Sequence, residues 1–336
     1  MKYFILCCFV IFNFSVSFSQ KLGCTDVLAK NYDAKATINN GSCTYKKVKV
    51  KPFKSFILEQ KINESSGLLV FDDYLWTHND DHDMNLYGYA IDSILQVTSD
   101  TLKFSKTIPL VSTIDWEAIT QDEDYIYLGD FGNNYRGNRT DLQIKKISKI
   151  GIYDQSFTAE TIEFVYENQF DFSKQKPEHT NFDCEAMVTI DSTLYLFTKQ
   201  WLNNETTVYK LNKNPGKQTA KANESFKIKG LVTDATYLKE YNLLVICGYT
   251  KLLKPFIYLF YDFERDHFFS GNKRRIKLKL PFHQIEGITS TNGLQYFLSN
   301  EEFKLAKGII DVPQKLHILD LSPYLKDYIS TFETDK

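Results

Sequence analysis

Apolar and polar positions alternate with period two through most of the chain, in short runs set apart by turn-forming residues. Runs such as Tyr74-Leu75-Trp76-Thr77, Tyr125-Ile126-Tyr127-Leu128, Leu194-Tyr195-Leu196-Phe197, Leu243-Leu244-Val245-Ile246 and Tyr296-Phe297-Leu298 are rich in aromatic and β-branched residues. Their length and composition predict strands. No window of 12 or more residues shows a convincing apolar stripe of helical period, so the expectation is an all-β chain.

The runs recur in a repeat. Five segments line up: Glu64-Ser65-Ser66-Gly67-Leu68, Asp115-Trp116-Glu117-Ala118-Ile119, Asp183-Cys184-Glu185-Ala186-Met187, Thr233-Asp234-Ala235-Thr236-Tyr237 and Gln284-Ile285-Glu286-Gly287-Ile288. Their acids, Glu64, Glu117, Glu185, Asp234 and Glu286, are 53, 68, 49 and 52 residues apart. After each come a turn and one of the runs above. A third alternating strand follows, as in Leu86–Ile91, Val208–Leu211 and Leu316–Leu319, and then a more charged fourth, as in Leu102–Ser105 and Ile276–Lys279. Four strands in about 50 residues is the size of a β-propeller blade. Five blades are expected, and the wide interval between Glu117 and Glu185 leaves room for a sixth. The last repeat supplies three strands, ending near Leu321, so the fourth should come from the chain start at Phe53–Leu58 and remove the open edge. The predicted propeller spans residues 50–323, with 324–336 as a tail.

In this arrangement the first strand of each repeat lines a central channel, and alternation puts one repeat position on one face every time. Glu64, Glu117, Glu185, Asp234 and Glu286 are therefore the candidate metal ligands. Converging carboxylates repel, and persist by sharing protons, by accepting backbone N–H bonds or by binding a cation. The ends of the second strands add a candidate ligand-binding mouth: His78, Asn79, Asp80, Asp130, Asn133, Lys199, Tyr249, Asn300 and Glu301. The densest set of donors is the run from His78 to Asp83.

The first residues set the compartment. Met1-Lys2, the apolar run Tyr3–Phe14 and the small residues before Gln20 have the layout of a secretory signal peptide, residues 1–19. That run is too short to span a bilayer, and no second apolar stretch is long enough, so the mature chain is expected to be secreted or extracellular, periplasmic or held at the cell surface. Export permits disulfides. Cys24 and Cys43 bound a polar segment with no core of its own and are expected to pair, whereas Cys184 and Cys247 sit in apolar strands and are expected to be free buried thiols. Composition changes the picture little. Aromatic residues are 15%, in keeping with strands, and the formal net charge of −2 gives no sign of a nucleic-acid partner.

Two resemblances follow. The segment 20–49, with Gly23-Cys24-Thr25-Asp26, Asn31-Tyr32-Asp33 and Asn39-Asn40-Gly41-Ser42-Cys43, resembles the thrombospondin type 3-like modules of secreted bacterial proteins. Such modules often bind calcium. Here Asp26, Asp33, Asn39 and Asn40 are the available oxygens, and a disulfide-closed spacer needs none of them. With Asp-Trp-Glu-Ala-Ile, Asp-Cys-Glu-Ala-Met, Gln-Ile-Glu-Gly-Ile and Gly129-Asp130-Phe131-Gly132-Asn133-Asn134, the body resembles secreted propellers of the SdiA-regulated and esterase-like phytase families. It is more loosely similar to the gluconolactonase and strictosidine-synthase propellers, which hold calcium in the channel. The resemblance implies a propeller with calcium as cofactor and an extracellular small molecule, glycan or protein as partner. It also implies two alternatives, a calcium-dependent hydrolase of phosphoesters or lactones and a purely structural interaction module. Val232-Thr233-Asp234-Ala235 departs from the pattern. There is no Gly-x-Ser-x-Gly, phosphate loop or His-Glu-x-x-His.

Overall fold

Each repeated segment folds as a four-stranded antiparallel meander, since each holds alternating runs joined by short turns. The computed structural model describes residues 20–80, 83–96, 99–110, 114–153, 159–305 and 308–333; the expected signal segment 1–19, with Asp81, His82 and the end of the expected tail at 334–336, lies outside the described residues. The protein is all-β, with 49% strand and 10% helix.

Unit I comprises Ser65–Phe71, Tyr74–Asn79, Asn85–Ala90 and Lys106–Pro109. Unit II comprises Trp116–Gln121, Tyr125–Asp130, Gln143–Ser148 and Glu160–Tyr166. Unit III comprises Cys184–Ile190, Thr193–Thr198, Thr206–Asn212 and Gly216–Phe226. Unit IV comprises Leu231–Leu238, Leu243–Tyr249, Pro255–Tyr261 and Asn272–Leu278. Unit V comprises Ile285–Thr289, Gln295–Asn300, Lys315–Asp320 and, from the far end of the chain, Lys54–Leu58. That last strand pairs antiparallel with Lys315–Asp320, through Leu316 opposite Phe56.

The first strands of consecutive units pack side by side, and that of unit V packs on that of unit I, so the five close into a ring. The apolar core is divided accordingly. Each pair of neighbouring units encloses its own cluster, such as Tyr127, Ile144 and Ile162 against Met187, Leu196 and Tyr209 between units II and III. The cluster of Phe56, Phe297 and Ile318 with Leu68, Leu75 and Tyr87 joins unit V to unit I.

Three details differ from the sequence expectation. The fourth strand of unit I is Lys106–Pro109, because Thr101–Leu102 instead extends the edge of unit V, parallel to Ile57 and Leu58. The wide interval between units II and III is taken up by connections on either side of the third and fourth strands of unit II, and an outer parallel pairing of Glu160–Tyr166 with Gly216–Phe226 merges these two units into one eight-stranded sheet. The expected tail is a helix, Ser322–Glu333, which inserts Leu325 and Ile329 into the cluster between units IV and V. Its stripe is short, two buried residues at i and i+4, and is hard to see among polar neighbours.

Cys24 and Cys43 form a disulfide, and Cys184 and Cys247 are buried free thiols. The oxygens of the N-terminal segment are already engaged. Asp26 Oδ2 accepts from the hydroxyls of Tyr45 at 2.8 Å and Tyr261 at 2.5 Å, Asp33 pairs with Lys21 at 2.6 Å, and Asn39 donates to Asp262 at 2.8 Å. These bonds suit a spacer docked on unit IV.

Candidate functional site

Every first strand of the ring carries a one-residue β-bulge near its start, and the bulge decides which side chains reach the mouth of the ring. The register skips Glu117 in unit II, Glu185 in unit III, Thr233 in unit IV and Glu286 in unit V. In unit I, Ser65 pairs with Asn79 as Trp116 pairs with Asp130, so Ser66 holds the corresponding place. The repeat position is thus Ser66, Glu117, Glu185, Thr233, Glu286. Two residues before it stand Glu64, Asp115, Asp183, Leu231 and Gln284. One residue past the second-strand partner of the residue just before it stand Asp80, Phe131, Lys199, Tyr249 and Glu301.

Two of the five expected ring acids are therefore displaced. Glu64 belongs to the preceding column. Asp234 falls one residue late and is spent on backbone: its Oδ1 accepts from Ala235 N–H at 2.8 Å and its Oδ2 from Ile288 N–H of unit V at 2.7 Å. At the true repeat position in these units, Ser66 Oγ donates to Glu117 O at 3.2 Å and Thr233 Oγ1 to Ile285 O at 2.5 Å, tying each first strand to a neighbouring one.

The remaining acids converge. Glu117, Asp183 and Glu185 are buried and each offers a carboxylate oxygen within 4.8 Å of the others. Asp183 is held by Asn133 N–H at 2.6 Å and the Trp201 indole N–H at 2.7 Å. Lys199 Nζ lies 3.1 Å from Glu185 Oε1, between the rings of Trp201 and Tyr249 at 5.0 and 5.4 Å. Glu286 Oε2 is buried with no hydrogen-bond partner. Asp80, Tyr135, Glu178, Gln284 and Glu301 complete a cavity of about 240 Å³ above them.

Electrostatics follow from burial. Desolvation pushes the carboxyls of Glu117 and Glu185 well above the usual range, with mutual repulsion adding at Glu117 and Lys199 opposing at Glu185. Glu301 is likewise pushed up by burial and then by Glu286, and Asp80 is raised to about 8 by burial and then by Glu64. Burial works against the Lys199 ammonium, yet Glu185, Tyr249 and Glu286 keep it firmly protonated. At the opposite mouth acids are paired with lysines: Lys213 with Asp122 at 2.9 Å and Lys239 with Asp191 at 2.8 Å.

Of the expected mouth residues, Asp80, Lys199, Tyr249 and Glu301 line the cavity. The others are structural. Asp130 accepts from the N–H groups of Ile114 and Asp115 and pairs with Arg139 at 3.0 Å; Asn79 caps Glu64 N–H; Asn300 donates to the carbonyls of Glu301 and Pro313; and Asn133 donates to Phe182 O. His78 is fully buried beneath Trp116, donating to the Asn79 carbonyl through Nδ1, and burial lowers its pKa to about 4, so it is a neutral core residue.

No family model matches the chain, and no curated protein matches it. Among solved structures it is similar to one titled "Structure of U3-55K", at 9% identity, over 76% of this chain and 68% of that chain, with a TM-score of 0.36. A likeness at that level carries no argument.

Among the residues that the repeat did not single out are Asp183, Ser66, Tyr135, Glu178, Trp201 and Gln284. A signal for Asp183 exists in the doublets Asp115-x-Glu117 and Asp183-x-Glu185, since residues at i and i+2 share a face of a strand. Aligning Glu64-x-Ser66 and Gln284-x-Glu286 on those doublets gives the observed columns. Trp201 comes from a loop and leaves no such trace.

Proposed function

We propose that this chain is an exported five-bladed β-propeller that binds a small polar ligand at one channel mouth through a hard divalent cation, calcium being the first candidate. The observation that carries this reading is the buried trio Glu117, Asp183 and Glu185, with the unsatisfied Glu286 Oε2 facing the same cavity. A cluster of this charge, offset by Lys199 alone within the cavity, must either keep protons or hold a cation. The donors are all oxygens, which fits calcium or magnesium rather than a softer metal. Glu117, Asp183 and Glu185 would hold the ion and leave positions for ligand oxygens and water. The ion would supply a fixed positive charge against which hydroxyl or carboxylate groups of the ligand bind. A cavity of about 240 Å³ suits something of monosaccharide size, with Trp201 and Tyr249 as its apolar wall. The closed ring of four-stranded units, with a core between each pair, supports the propeller; the resemblance to the SdiA-regulated and esterase-like phytase propellers is part of the proposal.

Calcium titration calorimetry on chelator-stripped protein tests it. Glu117→Gln and Glu185→Gln should each weaken binding at least tenfold, and Lys199→Met should tighten it by removing the competing ammonium. Stripped protein that takes up neither calcium, magnesium nor manganese would end the proposal.

Hydrolysis of phosphoesters or lactones is the second reading. It is favoured by Asp80 and Glu301, which enter the cavity from units I and V, away from the trio of units II and III, and so offer carboxyl groups outside the metal site. Turnover of generic phosphoester and lactone substrates that chelator abolishes, and that Asp80→Asn lowers, would select it.

A further inference from the structure

A second concavity shares no lining residue with the acidic mouth, and its charge is opposite. It is a cleft of about 1080 Å³ between the connection that follows Cys43 and the outer edge of unit IV. Nine of the twenty residues lining it are Lys or Arg, and none is Asp or Glu, in a chain whose formal net charge is −2.

The fold builds this cleft from two strands. Val48–Val50 adds to unit IV parallel to Asn272–Leu278, with Val48 beside Ile276, Lys49 beside Lys277 and Val50 beside Leu278. Val48, Val50, Ile276 and Leu278 turn inward to the core cluster of units IV and V. Alternation then sends Lys47, Lys49, Lys277 and Lys279 outward together, and all four are exposed. Cations therefore recur about every 6.6 Å along each strand, in two rows about 4.8 Å apart. Lys229 and Lys254 extend the set from neighbouring loops. None of these six lysines makes an ion pair with a described residue, so their like charges are unbalanced within the molecule.

We infer that this cleft is a binding groove for a linear anionic polysaccharide, one bearing a carboxylate or sulfate at regular intervals. Three observations select that occupant. Two parallel rows of point charges on flexible stems match anions repeated along a chain, not one compact anion. The single guanidinium lining the groove, Arg275, is committed to the carbonyls of Ile228 and Lys229 and lies 3.9 Å over the ring of Phe256. It is therefore not free to fork onto phosphate, and the ring of Phe256 is fully buried, so it offers no face on which a base could stack. A concave, lysine-lined trough also fits a strand better than the plane of a membrane. The inference stands on residues separate from the acidic mouth and does not depend on it.

The test uses the mature chain, residues 20–336, and measures binding to fluorescent alginate and dextran sulfate at rising salt, with uncharged dextran, duplex DNA and vesicles of 30% phosphatidylserine as comparisons. The expected result is binding to the two acidic polysaccharides that falls steeply with salt and is absent for dextran. Lys47→Glu with Lys49→Glu and Lys277→Glu should weaken it at least thirtyfold. Lys217→Glu with Lys221→Glu and Lys326→Glu, the same charge change on exposed residues elsewhere, should weaken it less than threefold. Equal losses in the two triple variants would reduce the effect to net charge and overturn the groove. Binding to DNA or vesicles as tight as to the polysaccharides would overturn the choice of occupant. Since every substituted side chain is solvent-exposed, both variants should keep the melting point of the parent.

Discussion

Without metal, the protein should lose stability as pH rises from 6.5 to 8. A carboxyl whose pKa is raised by folding contributes stability while protonated, and that contribution is lost as pH climbs through the folded-state value. Asp80, held at about 8 against the usual 3.8, titrates in this interval. Glu117, Glu185 and Glu301, pushed up by burial, act in the same direction. The opposing groups are finished by then. Burial lowers His78 to about 4 and His317 to about 3, so they favour folding increasingly as pH rises, but only up to about 6.5, where a free imidazole titrates. Asp115, raised to about 6 by burial and then by Asp183, is also largely ionised at the start of the interval.

A proton bound only in the folded state changes stability by about 1.4 kcal/mol for each pH unit crossed. Asp80 alone then accounts for roughly 2 kcal/mol over this interval, and protons shared within the cluster bring the total to about 2–4 kcal/mol. For a chain of this length that is about 4–8 °C in melting temperature. Circular dichroism melts in chelator at pH 6.5, 7.25 and 8 measure the slope. Excess calcium should lessen it, because Glu117 and Glu185, once they hold the ion, are ionised in the folded state at every one of these pH values, which leaves the share of Asp80. A melting temperature that stays level or rises with pH in chelator would refute the reasoning.

Four further outcomes follow from the same contacts. Asp234→Ala strands the buried Ile288 N–H and should cost about 3 kcal/mol in urea unfolding, whereas Asp234→Asn, which keeps one acceptor, should cost less than half of that. Gly132→Ala would drive a methyl group into the carboxylates of Asp115 and Glu117, so it should lower calcium affinity at least tenfold in calorimetry while shifting the urea midpoint little. Leu325→Ala empties a fully buried site in the cluster between units IV and V and should cost about 3 kcal/mol, against less than 0.5 kcal/mol for the exposed Lys326→Ala. Replacing Cys24 and Cys43 with alanine removes a cross-link between residues 19 apart, worth about 3 kcal/mol to that segment, and should make residues 20–49 protease-sensitive while the main melting transition stays in place.

The strands, their grouping and the joining of the two chain ends were legible because they depend on local pattern. Alternation marks a strand whichever neighbour it packs against, and Phe53–Leu58 was the one run near the start left without a partner. The register of the ring was not legible. A β-bulge adds one residue without altering composition, so Thr233-Asp234 could be aligned by its acid, which places Asp234 where Thr233 stands. Glu64 was misplaced by two residues for the same reason. The charge of the outer cleft was hidden differently: Lys47, Lys49, Lys277 and Lys279 are two ordinary alternating patterns more than two hundred residues apart, and only their parallel pairing makes one surface of them.

The asymmetry of the inner ring bears on what its acids are for. At the repeat position of units I and IV stands a hydroxyl that donates to the backbone carbonyl of a neighbouring first strand. That is the arrangement expected if the position served only to hold the ring together, since a hydroxyl can donate and is inexpensive to bury. Glu117, Glu185 and Glu286 bring instead a carboxyl group that must hold a proton or a cation to stay buried, at positions where the same fold accepts serine and threonine. Asp234 shows how this protein uses an acid as a structural clamp: both of its oxygens are occupied by backbone N–H groups, and it stands outside the cavity. Glu286, by contrast, keeps a buried oxygen without a partner, and Glu117 and Glu185 turn toward each other and Asp183. Buried acids at three positions out of five, meeting in one cavity, favour the proposed binding role over a purely architectural one.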